Sequence, residues 1–431
     1  MPNLAINGAK PVREAKNYFP AYNTITNEEK NAVLQVLDTG NLSQFLGAWH
    51  PDFYGGKTVR AFELAWKNYF KSEYAISVNS NTSGLITAVG ACGIQPGDEV
   101  IVSPYTMSAS ALAPLFYGAI PVFADIDENN FCISPESFKS KITKRTKAII
   151  IVHIFGNVAP MDEIMDIAKK NNILVIEDCA QAPGALYKNS SVGNIGDIGV
   201  FSLNYHKHIH TGEGGVIVCK NEEIAEKCEL IRNHGEAVVD NKGTKNLVNH
   251  WGYNFRMTEI EAAIGIEQLK KLPQLIEERI KNVAYFEENI NISGLTFPYK
   301  DINTKHVYYV HALKYDQTKF KQVHRNDFVN AIKAEIPSAI LRETTPLIGS
   351  GYVKPLYFQS LYQQKIHPAF SDTRNNLNIN YSSGLCPICE DLHFNTLITH
   401  EFIRPGMRKT DLNDVIEAFQ KVNDNIDELT K

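Results

Sequence analysis

Very little in this sequence would carry it to a membrane or to a nucleic acid. The longest apolar region, 109–124, is broken by Pro114, Gly118 and Pro121 and is too short to span a bilayer. The first residues, MPNLAINGAKPVREAK, lack a basic start followed by an apolar stretch, so no signal peptide is expected. Charge of neither sign dominates: 43 lysines and arginines stand against 48 aspartates and glutamates. No basic block offers itself to a polyphosphate backbone, which argues against nucleic acid as a partner. The seven cysteines are mostly single and set in apolar runs, as reduced core thiols are, which points to the cytoplasm. Cys386 and Cys389 form a lone CxxC, weak grounds for zinc or redox work without a second pair. No G-x-G-x-x-G turn follows the first expected strand, so a dinucleotide-binding enzyme lacks support. Internal repeats and low-complexity segments are absent too.

What is present is an ordinary globular composition, 44% hydrophobic and 21% charged, in a chain of 431 residues, long enough for a large domain with a smaller one attached. Thr26-Asn27-Glu28-Glu29 has the capping-box pattern and starts a helix that Gly40 should end. From residue 74 strands and helices alternate, with strands expected at 75–78, 99–102, 120–123, 148–152 and 174–176. Such alternation implies an α/β architecture with a mainly parallel sheet flanked by helices, and ligands at the carboxyl ends of its strands. A second capping box, Thr258-Glu259-Ile260-Glu261, opens a long helical region that Pro273 should interrupt. The expected division is a large domain over 1–275 and a smaller α+β domain over 276–431.

The residues just past the strands carry the chemistry. The first strand runs into Asn79-Ser80-Asn81-Thr82-Ser83-Gly84 at a helix start, which serves equally as an ordinary N-cap or as a phosphate cradle. The strand at 174–176 leads into Glu177-Asp178-Cys179-Ala180-Gln181, where a buried acid requires a partner. Ser202 ends the next strand, and Lys207 follows in a polar turn before Gly212-Glu213-Gly214-Gly215. A phosphate cradle, an acid, an amide and a lysine at one sheet edge is the set that pyridoxal phosphate (PLP) needs.

The stretches VIEDCAQAPGALY and VGNIGDIGVFSLNYHKHIHTGEGG resemble the signature of the DegT/StrS family of PLP-dependent sugar aminotransferases, which have the aspartate-aminotransferase-like fold type I. Further similar motifs are NSNTSGL, QPGDEVIVSPYTMSAS, PVFADID, IVHIFG, YNFRMTEIEAAIGIEQL and a weaker CPICEDL. The resemblance implies that Lys207 is the Schiff-base lysine, Asp178 the partner of the pyridinium nitrogen and Gln181 that of the ring oxygen. Thr82, Ser83 and Ser202 fall on phosphate positions, and Met107 stands where many members stack an aromatic ring. Asn254 matches an asparagine that reaches the neighbouring subunit's cofactor, so a homodimer with shared sites is implied. The implied reaction moves an amino group from glutamate to a keto sugar, nucleotide-linked or phosphorylated, in amino-sugar biosynthesis for polysaccharide, glycan or antibiotic. Two alternatives share the fold: a sugar dehydratase, in which histidine replaces the lysine, and a catalytically silent regulatory protein.

Six further residues are candidate substrate contacts. His153 ends a strand at the pocket edge, and Trp49 and His50 lie in an aromatic loop of the kind that walls a ligand pocket. His208 and His210 follow the lysine, which His206 and His208 flank, and all three histidines share one side if the segment is extended. Arg404 lies in FIRPGM. No carboxylate or cysteine nearby completes a ligand set for the three histidines, so no metal is expected.

Overall fold

The computed structural model describes residues 2–337, 347–371 and 379–430. The alternating region folds into one seven-stranded sheet. Its strands are β1 (Tyr74–Val78), β2 (Glu99–Val102), β3 (Ile120–Phe123), β4 (Thr146–Val152) and β5 (Leu174–Asp178), then, after the small hairpin β6 (Leu186–Tyr187) and β7 (Ser190–Ser191), β8 (Ile198–Ser202) and β9 (Gly215–Cys219). The order is β1-β9-β8-β5-β4-β2-β3, with β3, β2, β4, β5 and β8 parallel. Strands β2, β8 and β9 are buried along their whole length, which explains their unbroken apolar runs: helices cover both faces.

One reversal positions the site. β8 and β9 are joined by a short segment with no crossover helix, so β9 runs antiparallel to β8 and to β1. The segment carrying Lys207 therefore folds over the carboxyl end of β8, level with the ends of β4 and β5.

The helix Glu259–Asn289 leaves this unit under its expected capping box but passes through Pro273 without a break. An internal proline costs about 3 kcal/mol. Leu269, Leu272 and Ile276 on either side of it are buried in the large core, and that packing keeps the helix continuous. β10 (Leu295–Thr296), β11 (Thr304–Lys305), β12 (His311–Tyr315), β13 (Ile348–Ser350) and β14 (Leu397–His400) follow. Four of them form a second, antiparallel sheet in the order β10-β12-β14-β13, while β11 pairs with β6. Phe286, Leu313, Phe328, Ile398 and Phe419 make its core, and Leu4 and Phe19 from the chain's start join them. The division expected at 275/276 thus falls inside one helix, and the N-terminal segment packs with the second core.

β12 begins only at His311, although the apolar residues start at Val307. Residues before it turn aside to bond the 153–157 loop: Val307 N–H donates to the Gly156 carbonyl at 3.0 Å and Tyr309 N–H to that of Phe155 at 2.8 Å. This detour carries Tyr309 to the sheet edge.

Candidate active site

Asp178 is the last residue of β5 and 4% exposed. Its Oδ2 accepts from Ser110 Oγ at 2.8 Å, and its Oδ1 from Ala180 N–H at 3.1 Å and Asn81 Nδ2 at 3.4 Å. Burial pushes the carboxyl pKa up, against the pull of the Ser110 and Ala180 hydrogen bonds and of the charge on Lys207. Gln181 is fixed by two bonds, accepting from Phe155 N–H at 2.7 Å and donating to Tyr352 Oη at 3.0 Å.

Lys207 sits in a closed turn. Its N–H donates to the Asn204 carbonyl at 2.9 Å, and Asn204 and Gly212 bridge across the loop. Nζ stands 4.4 Å from the centroid of the Tyr309 ring. Burial lowers the amine's pKa to about 8, although Asp178 and Glu401 pull it upward. A fraction of the amine is therefore neutral near physiological pH, as a nucleophile or base requires.

The phosphate end is a helix start. Ser80 caps the helix Asn81–Ala91 by accepting from Ser83 N–H at 3.0 Å, and the first N–H groups of such a helix have no partner within it. β9 passes so close that a Cβ on Gly215 would lie 2.7 Å from Ser80 C and 2.8 Å from Asn81 N. Gly215 thus lets the strand meet this loop, and no side chain fits there.

One cavity of about 610 Å³ gathers Lys207, Asp178, Gln181, Thr82, Ser202 and Met107. Met107 is 54% exposed at its margin. The donor set fits pyridoxal phosphate: a helix start with hydroxyls for the phosphate, a buried carboxylate for a ring cation, and a buried amine for the aldehyde.

Other expected site residues lie elsewhere. Ser83 turns into the cap, its Oγ bonded to Asn79 Oδ1. Asn254 is exposed, outside its own chain's cavity, and its Oδ1 accepts from Arg256 Nε at 2.7 Å. His153 is fully buried: Nε2 meets Glu177 Oε2 at 2.9 Å and Nδ1 accepts from Ala159 N–H, so its place does not fit substrate contact. His208 is buried with Nε2 donating to the Val307 carbonyl at 2.9 Å. His210 is buried too, its backbone N–H 3.3 Å from Gln268 Oε1. The one histidine of the three that lines the cavity is His206, because the segment is a turn and the alternation of an extended strand does not apply. Trp49 and His50 lie beside a short helical turn, Trp49 under Lys242 Nζ at 5.5 Å and His50 Nδ1 accepting from Asp52 N–H. Arg404 pairs with Glu401.

Among the cavity residues that escaped the sequence reading are Tyr309, Tyr352 and Glu401. All come from beyond the long helix, 102 or more positions after Lys207 in the chain. YNFRM-like motifs did not mark them, and the position of Tyr309 depends on the backbone detour described above.

A model of the DegT/DnrJ/EryC1/StrS aminotransferase family matches residues 23–419. GDP-perosamine synthase of Caulobacter vibrioides is 35% identical over 292 residues, covering 66% of this chain and 74% of its own. L-glutamine:2-deoxy-scyllo-inosose aminotransferase of Streptomyces fradiae is 30% identical over 426 residues, 97% of each chain. The solved structure of the aminotransferase from Psychrobacter cryohalolentis superposes with a TM-score of 0.78 at 29% identity, covering 95% of this chain and all of that one. Aminotransferases of this family use pyridoxal phosphate. The chain therefore belongs to the DegT/DnrJ/EryC1/StrS aminotransferase family, with the α/β fold of type I PLP enzymes.

Proposed function

We propose that this PLP-dependent transaminase moves an amino group from glutamate to a keto sugar, with Lys207 and Asp178 as its catalytic residues. The observation that carries the reading is the buried amine of Lys207 in one cavity with the buried carboxylate of Asp178, on adjacent strand ends. Bound pyridoxal phosphate supplies an electron-withdrawing ring and an aldehyde carbon that carries nitrogen between the two substrates. Asp178 keeps the ring nitrogen protonated. Gln181 Nε2, which has a second N–H beyond the one given to Tyr352, donates to the ring oxygen. Thr82, Ser202 and the N–H groups of the helix start hold the phosphate.

Lys207 would hold the cofactor's aldehyde carbon through Nζ. With a substrate amine in its place, the buried Nζ would be the base that moves a proton from the donor's Cα. The donor leaves as a keto acid, the keto sugar enters, and Nζ moves a proton in the opposite sense. Carbon–nitrogen bonds lost by the donor are regained by the acceptor, so no outside oxidant is needed. Dehydratase chemistry would require histidine in place of the lysine; here Lys207 is buried, while His206 is half-buried with its ring 3.7 Å from that of Tyr205.

We read the working form as a homodimer in which Asn254 of one subunit reaches the cofactor of the other. The exposed position of Asn254 supports this, as do the exposed apolar side chains of Met107, Phe116 and Trp251. Seven free cysteines, six of them buried, accord with the reducing cytoplasm. Among the described residues no helix is long and apolar enough to cross a membrane.

The test is Lys207→Ala. The variant should lose the borohydride-reducible absorbance band, and glutamate-dependent formation of 2-oxoglutarate should fall by about 10⁴-fold. A Lys207→Ala enzyme that still turns over would overturn the assignment.

A further inference from the structure

Three carboxylates line the cavity, and the cofactor chemistry uses only Asp178. Glu213 belongs to the turn that carries Lys207, where it accepts from Asn204 Nδ2 at 2.9 Å. Asp178 lies at the floor, on the large sheet. Glu401 enters from the other unit, just past β14, and is held there rather than left loose. Its backbone N–H donates to the Leu347 carbonyl at 2.8 Å. Arg404 Nε donates to its Oε2 at 3.0 Å, and Arg404 Nη2 bonds the same oxygen. Oε1 carries no hydrogen bond among the described residues. The negative charge of Glu401 is felt by Lys207, Tyr309 and Tyr352, which all line the same cavity.

We propose that Glu401 is a specificity-determining residue that accepts hydrogen bonds from ring hydroxyl groups of the acceptor, and that Arg404 is its positioning residue. This deepens the sugar aminotransferase reading and rests on it. A fixed carboxylate oxygen forms charge-assisted bonds to hydroxyls, about twice as strong as neutral ones. The same charge disfavours a carboxylate or phosphate at that position. A ligand without hydroxyls leaves the oxygen desolvated and unpaired, so it binds less tightly. Glu401 therefore separates a polyhydroxylated keto acceptor from a small keto acid, although both must react at the same carbon of the cofactor.

The experiment uses the amino form of the holoenzyme, reacted separately with 2-deoxy-scyllo-inosose, a GDP-linked keto sugar and 2-oxoglutarate. For wild type and Glu401→Gln, kcat and KM are measured with each. The ratio of kcat/KM for the better keto sugar to that for 2-oxoglutarate should fall by about 10- to 100-fold in Glu401→Gln, carried by KM. Glu401→Asp should recover part of it. Arg404→Ala should raise the keto-sugar KM with kcat kept, and Arg404→Lys should restore it. The 2-oxoglutarate reaction reports in the same samples that each variant is folded and loaded. A ratio unchanged in Glu401→Gln overturns the role of Glu401. Wild-type enzyme that reacts with 2-oxoglutarate but with neither sugar overturns the proposed function itself.

Discussion

Glu177 and Asp178 leave β5 side by side, on opposite faces of the sheet. Glu177 has no exposed surface, and its oxygens accept from Gly193 N–H at 2.9 Å, Ile195 N–H at 2.8 Å and Gly196 N–H at 2.7 Å, with His153 Nε2 as a fourth partner. Burial alone would raise its pKa, but the hydrogen bond and charge of His153 and the backbone donors bring it below the usual value. Asp178 is nearly as buried, has fewer and longer bonds, and its pKa is raised. The first carboxylate is saturated and holds a loop to the sheet. The second retains capacity for a cation that the protein alone does not fully supply. Burial therefore does not mark a functional acid; incomplete satisfaction at a cavity does. His153, Glu177 and Cys179 also offer ligating atoms within 4.8 Å of one another, yet the bonds already made to Glu177 account for its charge.

Beyond Lys207→Ala, the largest effect that separates the two acids is on rate. Asp178→Asn should lower kcat by about 100-fold or more while the melting temperature stays near wild type. An equally active Asp178→Asn enzyme would break the comparison. Glu177→Gln should do the reverse, removing about 3 kcal/mol of stability by leaving buried donors unpaired, with near-normal turnover by the folded fraction. Denaturant unfolding with activity measured on the same samples checks both. Gly215→Ala comes next: the added Cβ displaces the Ser80–Asn81 backbone, so cofactor affinity should fall about tenfold by equilibrium titration, with little change in either acid's environment. Smallest is a pH effect. The folded-state pKa of Lys207, about 8, lies below the ordinary lysine value of 10.5. Between those values the unfolded chain binds more protons, so the stability of cofactor-free protein should rise from about pH 8 towards 10.5. Lys207→Met should remove that slope.

Much of the fold was legible because its signals are local. The starts and ends of β2 and β3 match the expected runs residue for residue, and β1 starts one residue before its expected run, since each is an apolar segment bounded by turn residues. The capping boxes at Thr26 and Thr258 form as read. Pro273 misled because a local penalty was outweighed by packing on either side of it. The histidines misled for a related reason: His206, His208 and His210 follow a turn closed by Asn204 and Gly212, and only the backbone path decides which ring meets the cavity.

By itself the sequence determined the strand–helix order, and therefore a sheet whose parallel strands all end at one edge. It also determined which polar residues stand at those ends, Asp178, Gln181, Ser202 and Lys207 among them. Tertiary structure alone decided which of two adjacent acids is left with capacity to spare, because that depends on donors 16 to 19 positions away and on a histidine 24 positions back. It alone brought Tyr309, Tyr352 and Glu401 to Lys207. Side-chain satisfaction and cavity lining are properties of contacts between distant segments, and no window of sequence contains them.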